Sequence, residues 1–274
     1  MISGQDVSPA TIEVMKKPKV LIGILVLIIA IGGVGYYIWD SRQQTAESAV
    51  TQTPVSQSDV ASELPAQAAT EFDKSQYSLT DPASIWVIVN KQNDIPISYT
   101  PDLTVPDVRL RLASSEQQMQ IRPDVAQAVQ RMFAAAKKDE VTLVFGSGYR
   151  SGALQQQFYS SYKAKDGQAA ADRYSARPGH SEHQTGLAFD LTSPSVTCHL
   201  EICWEDTSEG KWVAKNAYQY GFVLRYQDGK EAITGYQYEP WHFRYVGIEL
   251  ASQINDSGQT LEEFFGLPAA PNYD

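Results

Sequence analysis

Twenty consecutive residues, Val20 to Trp39 (VLIGILVLIIAIGGVGYYIW), carry no charge. At a rise of about 1.5 Å per helical residue, such a run matches a bilayer hydrocarbon core of roughly 30 Å. Lys16, Lys17 and Lys19 precede it, and Tyr36, Tyr37 and Trp39 close it. Those are the flanks of a span whose lysines stay cytoplasmic and whose aromatic rings sit at the interface. The run predicts a single transmembrane anchor over residues 20–39, a cytoplasmic N-terminus over 1–19 and an extracytoplasmic remainder. A cleaved secretory signal is the alternative, but the run exceeds an ordinary signal core and no small-x-small site follows it.

Residues 40–75 are rich in Gln, Ser, Thr, Ala and Pro and lack apolar periodicity, so they read as a disordered tether. Residues 76–274 are long enough for one hydrophobic core. A formal net charge of −10 argues against a nucleic-acid partner, which demands a basic footprint. Cys198 and Cys203, with four residues between them in TCHLEICW, are expected to pair on the oxidising side of a membrane. Two free thiols, or a metal site using His199, are the competing readings.

Within the outer domain, IWVIV (Ile85 to Val89) reads as a buried strand. RPDVAQAVQRMFAAAKK starts a helix at Pro123, with Val125, Val129, Met132, Phe133 and Ala136 along one face. VTLVFGSGYRS reads as a strand running into a glycine-broken loop, followed by a helix with Leu154, Phe158 and Tyr162 at four-residue spacing. GLAFDL (Gly186 to Leu191) predicts another strand, and KWVAKNAYQYG a helix stopping at Gly221. FVLRY and TGYQYEPWHFRYVG are β-prone, and Thr260 with Glu263 forms a capping box. The class is α+β, a small, largely antiparallel sheet with surrounding helices.

All four histidines fall between His180 and His242, in or near PGHSEHQTGLAFD and EPWH. A catalytic zinc takes three nitrogen or oxygen ligands and leaves a position for water. His183, Asp190 and His242 supply such a set, with Gly186 permitting the turn between the first two. Glu239, three residues before His242, suits the general base that activates water and returns its proton to the leaving amine. Direct ligation by Glu239 is the competing role, which would fill the position hydrolysis requires. Their odd spacing puts the two on opposite faces of an ideal strand, so Pro240 must break the alternation. A serine nucleophile at Ser147 or Ser181 is the rival chemistry, without an evident base.

SGYRS, SEHQTGLAFD and YEPWHFRYVG resemble, in order and separation, the motifs of VanY-type D-alanyl-D-alanine carboxypeptidases. The likeness spans about residues 85–247 and includes VNK near Val89, NAYQYGFVLRY and ITGY. It implies Zn2+ on His183, Asp190 and His242, catalysis by Glu239, and Arg150 on the substrate carboxylate or the developing oxyanion. It also implies that Ser181 and Gln155 line the substrate site. His180 reads as loop structure beside the site, and His199 as a surface residue. The substrate so implied is the peptidoglycan stem peptide, losing its terminal D-Ala to a D,D-carboxypeptidase. An L,D-carboxypeptidase trimming tetrapeptides, or a wall-binding module without catalysis, are the alternatives.

Overall fold

Alternation along two short strands decides the architecture. The computed structural model describes residues 72–273. Four strands, β1 (Val144–Ser147), β2 (Ala188–Thr192), β3 (Phe222–Leu224) and β4 (His242–Tyr245), form one sheet in the order β1-β2-β4-β3, every neighbouring pair antiparallel. Phe189 of β2 stands opposite Phe243 of β4, and the next pair along is Asp190 opposite His242. Successive side chains leave opposite faces of a strand, so the phenylalanines enter the core and the polar pair emerges on the other side. Phe145 and Phe222 pack against Phe189 with ring centroids 5.6 and 5.0 Å away.

The core face is covered by α1 (Pro123–Lys138), whose Val125, Val129, Met132 and Ala136 are all buried. Proline at its first position donates no N–H where none is needed. Next come α2 (Gly152–Asp166), α3 (Gln168–Tyr174) and α4 (Ser208–Asn216), the last extended by a 3-10 turn that ends at Gly221. After α5 (Glu231–Thr234), the chain closes with α6 (Ile248–Ser257) and α7 (Leu261–Phe265). Thr260 and Glu263 cap α7 reciprocally, as the capping box predicts. The helices α6 and α7 build a second apolar cluster with Trp86, Ile88 and Val246.

Three local expectations are corrected. Trp86–Val89 is buried and Ile85 half-buried, but the segment joins no ladder; the Ile85 and Val87 carbonyls accept instead from Arg244 Nη2, at 3.1 and 2.8 Å. In α2 the buried face is Gly152, Gln155 and Tyr159, while the Leu154–Phe158–Tyr162 stripe stays partly exposed. Phe72, inside the stretch assigned to the tether, packs on Trp86 and Phe264 at 5.5 and 5.4 Å.

The small antiparallel sheet with surrounding helices matches the α+β expectation, but the anchored arrangement does not stand. Among the described residues no helix is long and apolar enough to cross a membrane. The longest, α1, has 16 residues, about 24 Å of rise against roughly 30 Å of hydrocarbon, and is amphipathic. This overturns the expectation of a single-pass membrane protein with an extracytoplasmic domain. The segment 20–39 that carried it lies outside the described residues.

Candidate active site

Asp190 sits on a central strand between two polar neighbours. Ser147 of β1 pairs with it on one side and His242 of β4 on the other. The Ser147 hydroxyl donates to Asp190 Oδ2 at 2.5 Å. His183 arrives from the 3-10 turn Glu182–Thr185, after which Gly186, at φ 67°, turns the chain into β2. That left-handed backbone costs glycine nothing and any other residue a clash between Cβ and the carbonyl.

His183 Nε2 lies 3.4 Å from Asp190 Oδ2, and His242 Nδ1 lies 3.1 Å from Asp190 Oδ1. One ligand atom from each of His183, Asp190 and His242 falls within 4.8 Å of the others, and all three residues are buried. The opposite nitrogen of each ring is occupied. His183 Nδ1 is 2.6 Å from the Gly148 carbonyl, and His242 Nε2 is 3.4 Å from Glu182 Oε2. Both rings thus direct their remaining nitrogen toward Asp190. This is how metal-binding histidines are held, the outer N–H donating to a carbonyl or carboxylate. Gly148 has to be glycine because a Cβ there would lie 2.4 Å from the Gln120 carbonyl oxygen. The donor set and its supports fit Zn2+.

Electrostatics separate the three. Burial opposes ionisation of Asp190, but His183 and His242 outweigh it and hold the carboxyl well below the usual range. Burial depresses His183. It would depress His242 too, yet hydrogen bonds to Asp190 and Glu182 prevail and push that imidazole up to about 9.

Glu239 reaches the same side as His242 through a turn. The His242 N–H donates to the Glu239 carbonyl at 3.0 Å, with Pro240 and Trp241 between them, so strand alternation begins only after the turn. Glu239 Oε2 then stands 4.0 Å from His242 Nδ1. Burial raises the Glu239 carboxyl to about 8.

Beneath the site lies a charge network that the motif residues alone do not reveal. Glu182 Oε1 accepts from Arg225 Nε at 2.8 Å and from Arg244 Nη1 at 2.7 Å, all three fully buried. Arg225 also makes a two-point pair with Glu262 of α7, at 2.6 and 3.0 Å, and Asn90 donates to that same carboxylate. Burial opposes ionisation of Glu182, but the two guanidinium groups dominate and hold it far below the usual carboxylate range. Sequence reasoning missed these residues, although two signals were present. Glu182 stands inside SEHQTG, Arg225 directly follows the apolar strand β3, and Arg244 sits between Phe243 and Tyr245 in β4.

Arg150, His183, Asp190, Glu239, His242 and Ser181 share one cavity of about 250 Å³. Arg150 follows β1; its Nη1 donates to Gln155 Oε1 at 2.8 Å, and its guanidinium lies 5.2 Å from the Phe158 ring centroid. Its Nε is buried with no hydrogen-bond partner among the described residues. Gln155 is fully buried behind Arg150, its amide donating to the Ala176 carbonyl at 2.6 Å, and is not among the residues lining the cavity. Tyr226 lines the cavity as well, its ring centroid 4.9 Å from that of His242.

His180 stands apart from the cluster, its Nδ1 2.8 Å from the Asn90 carbonyl and its ring against Tyr273. His199 is not a surface residue: it is half-buried, close to Gly146 of β1, and burial lowers its imidazole. Cys198 and Cys203 are disulfide-bonded. The rival serine chemistry finds no geometry. In a nucleophilic triad the histidine stands between serine and carboxylate, whereas Ser147 donates directly to Asp190.

A buried His-Asp-His cluster in an open cavity, with a carboxylate beside it and an arginine facing it, defines a mononuclear zinc hydrolase. Residues 118–248 match the family described as VanY: D-alanyl-D-alanine carboxypeptidase. The Bacillus subtilis protein YodJ is 44% identical over 189 residues, covering 69% of this chain and 69% of its own length. The LdcB LD-carboxypeptidase structure superposes with a TM-score of 0.65 at 45% identity, over 68% of this chain and 87% of that one. The VanY D,D-pentapeptidase structure in complex with Zn(II) gives 0.53 at 37% identity, over 65% of this chain and 97% of that one. The chain belongs to the VanY-type D-alanyl-D-alanine carboxypeptidase family.

Proposed function

We propose that this protein is a zinc-dependent D,D-carboxypeptidase that removes the terminal D-Ala from peptidoglycan stem peptides. The observation that carries the reading is the convergence of His183, Asp190 and His242 within 4.8 Å, with Glu239 Oε2 4.0 Å from a ring nitrogen of the set. His183, Asp190 and His242 would hold the metal. Zinc, when bound, supplies a Lewis acid that polarises a carbonyl and makes water more acidic.

Glu239 accepts a proton from the attacking water at its carboxylate and delivers it to the departing amine. Its burial keeps the carboxylate poorly solvated, which makes it a better base than an exposed glutamate. Arg150 binds the terminal carboxylate or the oxygen that gains charge as water adds, using the planar donor fork of guanidinium. Its unsatisfied Nε supports this role, since a buried donor left without a protein partner calls for one from elsewhere. Gln155 steadies Arg150 from behind, and Ser181 contributes to the cavity wall.

A second reading, L,D-carboxypeptidase, is favoured by the likeness to LdcB, which exceeds the likeness to the D,D-pentapeptidase in both identity and TM-score. Incubating the zinc-loaded protein with defined pentapeptide and tetrapeptide muropeptides and weighing the products separates the two. Loss of one D-Ala from the pentapeptide alone supports D,D cleavage. Loss from the tetrapeptide alone supports the second reading, and no loss from either rejects both.

A further inference from the structure

We propose that Leu200 forms an apolar subsite for an aliphatic side chain of the peptide substrate, and that the Cys198–Cys203 bridge holds it in place. The inference rests on the carboxypeptidase reading above and adds a specificity residue to it. Leu200 lines the same cavity as Arg150 and His183, yet remains 43% exposed. Beside its carboxylates, imidazoles and guanidinium, the cavity offers aromatic rings, among them Tyr226, Tyr236 and Trp241, and a small Ala176. Among the described lining residues, Leu200 is the one branched aliphatic side chain.

Its placement is built rather than incidental. Val196, Cys198 and Leu200 have φ of 57°, 60° and 56°, a left-handed conformation that residues with a Cβ, and β-branched valine above all, rarely adopt. Three such residues in five positions need an outside constraint, and the disulfide closing the loop five residues apart provides it. The loop is fastened at further points as well. His199 lies half-buried close to Gly146 of β1, and Trp204 is fully buried in the core. Glu205 Oε2 accepts from the Tyr238 hydroxyl at 2.8 Å, one residue before Glu239. The wall carrying Leu200 is thereby tied both to the strand of Ser147 and to the turn of Glu239. A leucine held at a cavity rim in a disfavoured conformation gains from burial only when substrate covers it.

The test compares wild type and Leu200→Ala on N-acylated X-D-Ala-D-Ala peptides, each side chain before the scissile bond being replaced in turn by the hydrogen of glycine. Leu200→Ala should lower kcat/KM about tenfold on the full peptide, chiefly through KM, and leave unchanged the peptide lacking the contacted side chain. The paired change Cys198→Ser with Cys203→Ser should reproduce that selectivity loss while zinc content is retained. Leu200 is half-exposed, so its truncation does not threaten folding should the paired variant be unstable. Equal kcat/KM for wild type and Leu200→Ala on every peptide, or an equal loss on all of them, overturns the subsite. Binding followed through intrinsic tryptophan fluorescence separates this from failure of the parent reading: a wild type that neither binds nor cleaves any of these peptides overturns the D,D-carboxypeptidase assignment, and the subsite with it.

Discussion

The Glu182 carboxylate joins two arginines to the candidate metal ligand His242: Oε1 receives Arg225 and Arg244 at 2.8 and 2.7 Å, while Oε2 stands 3.4 Å from His242 Nε2. Removing it as Glu182→Ala leaves the buried Arg244 without a carboxylate partner and Arg225 paired with Glu262 alone. Breaking a buried pair in this way costs about 3–5 kcal/mol. Loss of the acceptor that orients a ligand also weakens metal binding about 10–100-fold. Thermal unfolding and a zinc titration against a competing chelator measure the two effects. Unchanged zinc affinity would detach Glu182 from the metal centre.

Zinc binding should depend on pH through His242. In the metal-free protein its pKa lies near 9, above the ordinary 6.5. The stabilisation from its charged form is therefore complete below 6.5 and is lost as pH rises through 9. Zinc needs the neutral ring and must expel that proton. Affinity should rise about tenfold per pH unit from pH 6.5 and level off near 9, as one released proton requires. His183, already depressed by burial, adds no second step in that range. Calorimetry in buffers of different ionisation enthalpy counts the protons, and a count near zero would contradict this picture.

How much of this was readable beforehand follows the range of the interactions. The strand carrying Asp190 and the helix from Pro123 to Lys138 announce themselves because their periodicities are local. The candidate ligands His183, Asp190 and His242 stand in compact motifs too, and the fold brings them within 4.8 Å of one another. Ile85–Val89 was misread because five apolar residues in a row have no period, and only Arg244, from far along the chain, shows that its carbonyls bond a side chain. The stripe Leu154–Phe158–Tyr162 misled for the opposite reason. Its period is helical, but the α2 face that buries is the one holding Gln155 behind Arg150. Glu182, Arg225, Arg244 and Glu262 meet across 37 to 62 residues of sequence, and no local pattern records such pairings. The membrane placement rested on the uncharged run 20–39 and its flanks, which lie outside the described residues, and no described helix is long and apolar enough to cross a membrane.

Replacing Glu239 by glutamine should separate stability from turnover. Near neutral pH in the metal-free protein the carboxyl, raised to about 8, is largely protonated, and glutamine is its neutral isostere. A carboxyl with a raised pKa loses stability as pH climbs above its unfolded value of 4.5, so the variant should match wild type near pH 5 and exceed it in Tm above pH 8. Peptide hydrolysis should fall by about 10²–10⁴, the usual contribution of a positioned base, with zinc retained. Turnover at the wild-type rate would remove Glu239 from the mechanism.

Arg150→Lys keeps the charge and loses the fork. Lysine cannot at once donate to Gln155 and present paired N–H groups to a carboxylate or oxyanion. A loss of about 10²–10³ in kcat is expected if Arg150 meets the charge that develops during the reaction. If it holds only the terminal carboxylate, the loss should appear equally on substrate and transition state, as a higher KM with kcat preserved. Steady-state kinetics on a defined pentapeptide distinguishes the two, and no change in either constant would reduce Arg150 to a structural residue.

Ser147→Ala tests the competing chemistry directly, because Ser147 is buried and spends its hydroxyl proton on Asp190 Oδ2. As a nucleophile, its loss would abolish turnover at any zinc concentration. As a support for a metal-binding carboxylate, its loss should weaken zinc binding about 10–100-fold and leave kcat close to wild type once zinc is saturating. Alanine also leaves Asp190 with one hydrogen bond fewer to its charged form, so its pKa should rise toward the ordinary value. Removal of that bond should cost about 1.5–3 kcal/mol in the metal-free protein, where the acceptor is charged and buried. A zinc titration of activity is therefore decisive: a curve displaced to higher metal with its plateau intact supports the metal reading, and a plateau near zero restores the serine.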